Sequence, residues 1–274
     1  MDRVGFLKTL FDYLNRNTRY ALLRNFEGLP ERNDSRDIDM AISHQDYICH
    51  RKALVHLVED AGWKIVTYLN SDRLVTWVCG TITEQGTADL VQLDFFFHTS
   101  VYGMILIEND DLLEHRRFNG KVYHVDAVYE FLDKYLYNRA VGAKYPEKYH
   151  IQRERAEKDS RTKKGIRLAF GCQSLEACDS ASKKTLLIGL LKQNLRRYGI
   201  KTWWNYLKFE YYHLRNYVHS DTGFSIGFTG PDGSGKTTVI DLMIDNFGEV
   251  FRKAHVYFHF RPMLFGNLGE VAHS

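Results

Sequence analysis

Two sets of residues in this chain have types and spacings that suit chemistry. The first is Gly230-Pro-Asp-Gly-Ser-Gly-Lys-Thr237, which spells Gly-x-x-x-x-Gly-Lys-Thr, a Walker A phosphate-binding loop. Its glycines, Gly230, Gly233 and Gly235, let backbone N–H groups around Ser234 converge on phosphate oxygens. A following helix adds its positive dipole end. Lys236 is expected at the β- and γ-phosphates, Thr237 on Mg²⁺, and Thr238 opens the helix with them. The second set is acidic. Asp37 and Asp39 flank Ile38, and on a strand residues i and i+2 share a face. Two carboxylates side by side repel unless a cation lies between them. A divalent ion that prefers oxygen, Mg²⁺ or Mn²⁺, answers that need.

The elements that must position these residues are legible in part. Phe224–Thr229 is a short apolar run expected as a strand before the loop, and Thr238–Phe247 carries helix-spaced apolar residues. Strand, loop and helix are the context the motif requires. Upstream, Leu7, Leu10, Phe11 and Leu14 predict a helix, and Arg19–Arg24 a strand. A polar loop then leads into Asp37–Ile42. Ser43 is a helix cap, and Gly62 closes that helix. Lys64–Leu69, Arg73–Cys79 and Asp89–Phe97 read as strands, the last two joined by a turn holding Glu84-Gln-Gly-Thr87. In the last strand Gln92, Asp94, Phe96 and His98 share one face. A carboxylate on a core strand needs a metal or a basic partner. His98 is expected to be structural.

This pattern resembles the nucleotidyltransferase superfamily with a polymerase-β-like core: an Asp-x-Asp strand, a helix, then a third Asp on a neighbouring strand. The resemblance implies that Asp37, Asp39 and Asp94 hold two Mg²⁺ ions, with Asp94 as base for an acceptor hydroxyl and a nucleoside triphosphate as donor. Members normally carry a Gly-Ser or Gly-Gly pair about a dozen residues before Asp-x-Asp. This chain has Arg24-Asn25 and Gly28-Leu-Pro30 instead. Arg24 is expected to supply by charge what the missing cradle supplies by backbone.

The loop at Gly230–Thr238 resembles thymidylate kinase-like P-loop proteins, whose loop carries an acidic residue matched here by Asp232. Ala254–Phe260 alternates like a second strand, and the following Arg261-Pro262 matches an Arg that those kinases place near the monophosphate. The combination resembles fused proteins of bacterial surface-polysaccharide gene clusters. A P-loop kinase needs further strands and a lid, so residues 222–274 are expected to be the start of such a domain in a truncated chain. The expected layout is an α+β nucleotidyltransferase-like domain at 1–125, a helical region at 126–221, and an incomplete α/β P-loop segment at 222–274.

In the helical region Asp126 caps a helix with Tyr129, Phe131, Leu132, Tyr135 and Leu136 on one stripe. Lys144–Lys164 has eight basic against four acidic residues and reads as a solvated helix with a Glu154–Lys158 pair. Asp179 or Ser180 is expected to cap the next helix, with Leu186, Leu187, Leu190, Leu191 and Leu195 buried. Residues 202–219 hold Trp203, Trp204, Tyr206, Phe209, Tyr211, Tyr212 and Tyr217. They are read as an interdomain packing helix, with a membrane-surface helix as the alternative.

Bulk properties narrow the function classes. The 274 residues carry 37 Lys and Arg against 34 Asp and Glu, a net +3, so no polyanion partner is implied and no nucleic-acid signal stands out. Four cysteines, Cys49, Cys79, Cys172 and Cys178, form no Cys-x-x-Cys pair, which argues against a zinc site or disulfide framework. No signal peptide is read, and a cytoplasmic location is expected. The sequence therefore points to a nucleotide-using protein with ATP or another triphosphate, a divalent ion and an unidentified hydroxyl acceptor. The alternatives are a non-catalytic nucleotide- or partner-binding protein with degenerate sites and a membrane-surface protein of polysaccharide assembly.

Overall fold

The computed structural model describes residues 1–33, 35, 37–218, 226–231 and 233–247. The chain divides into two compact units, Met1–Phe224 and Ser225–Ser274.

The first unit is built on a mixed sheet of seven strands: β1 (Tyr20–Leu22), β2 (Asp37–Ile42), β3 (Lys64–Asn70), β4 (Leu74–Ile82), β5 (Ala88–Phe96), β8 (Arg116–Phe118) and β9 (Tyr123–Val125). Their order across the sheet is β3-β4-β5-β2-β1-β9-β8. β6 (Thr99–Val101) and β7 (Met104–Ile107) form a separate antiparallel pair. Strands β2 and β5 run parallel, and so do β1 and β9; the other neighbours are antiparallel.

Alternation sends the two faces of the central strands into different cores. Leu22, Ile38, Met40, Trp77, Leu93 and Phe95 belong to one core, closed by α1 (Arg3–Asn17) and α2 (His44–Asp60). Ser43 caps α2, its hydroxyl accepting from the Asp46 N–H. Trp63 stacks on Phe6 at 4.6 Å between centroids, tying the segment after α2 back to α1. The opposite face presents Ala21, Leu23 and Ala41 to α4 (Ala127–Val141), α6 (Ser160–Phe170), α7 (Leu175–Ser180) and α8 (Lys183–Tyr198). α3 (Asn109–Glu114) adds Leu112 and Leu113 to this second core. Asp126 caps α4 from two backbone N–H groups, and Phe131, Leu132, Tyr135 and Leu136 are buried as expected.

Three local expectations are corrected. Lys144–Lys164 is not one helix. A 3-10 turn at Glu147–Tyr149 precedes α5 (His150–Glu157), and Asp159 caps α6 from outside it. Asp159 and Asp126 both hold Arg161, in the first turn of α6. The cap of α8 is Ser182, whose hydroxyl accepts from the Thr185 N–H, because Ser180 already ends α7. The stripe of α8 is also not wholly leucine. Leu186 and Leu190 are buried, and the next buried position is Asn194. The first unit's last described helix, α9 (Lys201–Val218), carries Trp203, Leu207, Tyr211, Leu214 and Val218 exposed.

In the second unit the helix after the loop is present as α10 (Lys236–Phe247). The expected strand over 224–229 is not: residues 226–229 are irregular, while Phe224 and Ser225 lie outside the described residues. A strand exists by pairing, and no described residue of this unit offers a partner. Ala254–Phe260, the second expected strand, also lies outside the described residues.

Candidate active site

Parallel pairing of β2 with β5 places Asp37 opposite Gln92 and Asp39 opposite Asp94. Ile38, Leu93 and Phe95 turn to the α1–α2 core, so the three carboxylates stand on the other face, the one α4 covers. One oxygen from each of Asp37, Asp39 and Asp94 lies within 4.8 Å of the others. Two aspartates two residues apart are thus joined by a third that is 55 residues later in the chain.

Each carboxylate is oriented. Ser35 Oγ donates to Asp37 Oδ1 at 2.7 Å. Thr76, directly opposite Asp94 on β4, donates its hydroxyl to Asp94 Oδ1, and Gln92 Nε2 donates to Asp94 Oδ2 at 2.8 Å. Asp39 differs. Arg24 Nη2 lies 2.7 Å from Asp39 Oδ2, yet that buried oxygen accepts no aligned hydrogen bond. The contact is one of charge without an N–H aimed at the lone pair. Burial pushes the Asp39 carboxyl up to about 7, Asp37 and Asp94 add to the rise, and Arg24 opposes it. Burial also works against the charge of Arg24, but Asp39, Asp133 and Asp37 outweigh it and hold the guanidinium pKa above its usual value.

Arg24 has a second partner. Its Nη1 donates to Asp133 Oδ2 on α4 at 3.3 Å, and Thr99 Oγ1 donates to Asp133 Oδ1 at 2.6 Å. Asp133 was not among the residues the sequence singled out. Its signal was a carboxylate inside the apolar stripe of α4, between Leu132 and Tyr135. Thr76 gave less: a threonine on a core strand is unremarkable until register sets it opposite Asp94.

These residues fit a divalent cation. The donors are hard oxygens, they converge on one volume, and one of them is buried and unsatisfied, the condition a cation relieves. His98 follows β5 outside this cluster. Burial, aided by Lys208 and Arg73, brings its imidazole down to about 4 and keeps it neutral.

The Gly230–Thr238 loop lies in the second unit. Gly233 and Gly235 have φ of 79° and 80°, a left-handed conformation that favours glycine. Ser234 N–H donates to Pro231 O at 3.3 Å, and Val239 N–H to Gly235 O at 3.1 Å. The Lys236 ammonium is folded back on its own loop, donating to Gly230 O and Pro231 O at 2.6 Å each. Thr237 and Thr238 are exposed at the start of α10. Asp232 and Arg261 lie outside the described residues.

Among the described residues no helix is long and apolar enough to cross a membrane. No family model, curated protein or solved structure matches this chain.

Proposed function

We propose that the first unit has a polymerase-β-like nucleotidyltransferase core and transfers a nucleotidyl group from a nucleoside triphosphate to a hydroxyl acceptor. The observation that carries this reading is the convergence of Asp37, Asp39 and Asp94 within 4.8 Å. Mg²⁺ or Mn²⁺ held by these three carboxylates supplies charge for the triphosphate and lowers the pKa of the acceptor hydroxyl.

The chain's own residues do the rest. Asp94 accepts the acceptor's proton, a task suited to a carboxylate kept in place by Thr76 and Gln92. The acceptor oxygen bonds to the α-phosphorus, and the bond to the departing pyrophosphate breaks. Asp37 and Asp39 would hold the divalent ion together with Asp94. Arg24, beside Asp39, is placed to attract a triphosphate oxygen, an exchange of a buried carboxylate for a phosphate. In the second unit the Gly230–Thr238 loop is read as a thymidylate kinase-like P-loop. Lys236 exchanges its bonds to Gly230 O and Pro231 O for phosphate oxygens of ATP, and Thr237 joins a bound Mg²⁺. The protein is read as cytoplasmic.

The test is pyrophosphate release from each nucleoside triphosphate with Mg²⁺ and a panel of hydroxyl acceptors. Asp37→Asn and Asp94→Asn abolish it. Thr76→Val weakens Mn²⁺ binding by roughly 10–100-fold, the usual effect of removing a residue that orients a metal ligand. Lys236→Ala removes ATP binding at the loop and leaves pyrophosphate release intact. Release that persists in Asp94→Asn, or Mn²⁺ affinity equal in all variants, rules the reading out. A non-catalytic nucleotide-binding protein then becomes the better account.

A further inference from the structure

The α8–α9 segment carries a charge that the rest of the chain does not. Residues 183–218 hold eight Lys and Arg and a single acid, Glu210, leaving 29 basic and 33 acidic residues elsewhere. A net +7 in 36 residues sits on a chain that is otherwise negative.

The same segment also exposes a run of large apolar side chains. On α9, Trp203, Leu207, Tyr211, Leu214 and Val218 recur at spacings of three and four and so share one face. They are 54%, 58%, 61%, 62% and 65% exposed. Trp204, at the edge of that face, is 69% exposed. Phe209 and Thr202 turn the other way, Phe209 against Tyr102 edge-on and Thr202 buried. Among the described residues the helix is therefore anchored by one face and exposes the apolar one. Between α8, α9 and the β6–β7 hairpin runs a groove of about 610 Å³, lined by Met104, Leu187, Ile188, Leu191, Trp203 and Tyr206.

Cations border this surface. Lys201, Lys208 and Arg215 are seven residues apart, so they form one line along α9, beside the edge marked by Trp204 and Tyr211. Lys183 and Lys184 of α8 also line the groove. Indole and phenol rings with an apolar centre and cations at the rim are the make-up of a helix that lies in a bilayer interface.

We propose that the α8–α9 face docks on an anionic membrane surface, with the groove seating part of a lipid acyl chain. Charge complementarity selects this occupant. A second copy would set Lys183, Lys184, Lys201, Lys208 and Arg215 against the same cations. A single-stranded nucleic acid calls for aromatic rings and phosphate contacts interleaved along one track. Here the cations stand outside a continuous strip that includes Leu207, Leu214 and Val218. An amphipathic surface of this kind rests on the membrane without crossing it. The proposal is independent of the chemistry at Asp37, Asp39 and Asp94.

The test is flotation of the full chain with vesicles of phosphatidylcholine alone and of phosphatidylcholine mixed with phosphatidylglycerol. The chain is expected to float with the anionic vesicles only and to be released by raised ionic strength. Leu207→Glu, on an exposed face, abolishes flotation while the circular dichroism spectrum stays that of the parent. Lys184→Ala, Lys201→Ala and Arg215→Ala together lower the partition coefficient on the order of a hundredfold, since each juxtamembrane cation contributes several-fold. Asp39→Asn floats like the parent. Failure to float with anionic vesicles by a folded chain overturns the proposal. So does equal flotation with neutral vesicles. A dimer in sedimentation velocity that Leu207→Glu dissociates, or an oligonucleotide complex that it dissolves, with no flotation in either case, assigns the face to another occupant and also overturns it.

Discussion

Arg24 Nη2 stands 2.7 Å from Asp39 Oδ2 while Nη1 of the same guanidinium donates to Asp133 Oδ2 at 3.3 Å. One cation thus joins the segment after β1, the acidic strand β2 and the helix α4, with its side chain 18% exposed. A buried charge pair gives little net stability, but removing one partner leaves the other unpaired. Arg24→Ala is expected to lower unfolding free energy by about 3 kcal/mol. Asp39 and Asp133 then repel, so Mg²⁺ should stabilise Arg24→Ala more than it does the parent. Urea denaturation with and without Mg²⁺ checks both points. An unchanged midpoint in Arg24→Ala means that the guanidinium has no structural part.

Asn194 fastens α8 to the β6–β7 hairpin. Its Oδ1 accepts from the Ile105 N–H at 2.8 Å, and its Nδ2 donates to Ile105 O and to Leu190 O at 3.0 Å each. The side-chain amide pairs with Ile105 much as a neighbouring strand would. Asn194→Leu preserves size and strands a buried donor and acceptor, at a cost of about 2 kcal/mol or more. Asn194→Gln keeps the chemistry and displaces it by a methylene. Thermal melts of the two variants should show a large loss for Leu, and an equal loss for both would assign the effect to packing.

Glu130, on α4, carries a carboxyl that burial pushes up to about 7, with Gln152 and Arg155 opposing the rise and Glu27 adding to it. Its folded pKa therefore lies above the ordinary value of 4.5. Protons bound by the folded state and not by the unfolded one favour folding. This contribution is complete below about pH 4.5 and is lost as pH rises through 7. Glu130→Gln removes the penalty of ionising there. The variant should match the parent near pH 4.5 and exceed it by roughly 2 kcal/mol at pH 8. Chemical denaturation across that range measures the difference, and a gain that is flat with pH leaves Glu130 outside the titration.

Local signals set much of this molecule. Apolar spacing placed α1, α2, α4, α8 and α10, the turn at Glu84–Thr87 placed the β4–β5 hairpin, and Ser43 and Asp126 marked helix starts. These features depend on residues within a few positions of one another, where periodicity and capping are decisive. The chemical character of Asp37, Asp39 and Asp94 was also readable, because carboxylates on apolar strands are conspicuous. What sequence spacing left undetermined was contact between distant segments. Thr76 meets Asp94 through antiparallel register, Asp39 meets Asp94 through parallel register, and Asp133 meets Arg24 across the packing of α4 in the second core. The break at Lys158–Asp159 was hidden since Arg161 finds its second carboxylate, Asp126, far back in the chain. The exposed stripe of α9 has the same pattern as a buried one. Periodicity shows that a helix has an apolar face, and only the packing of the other elements decides whether protein or something else covers it.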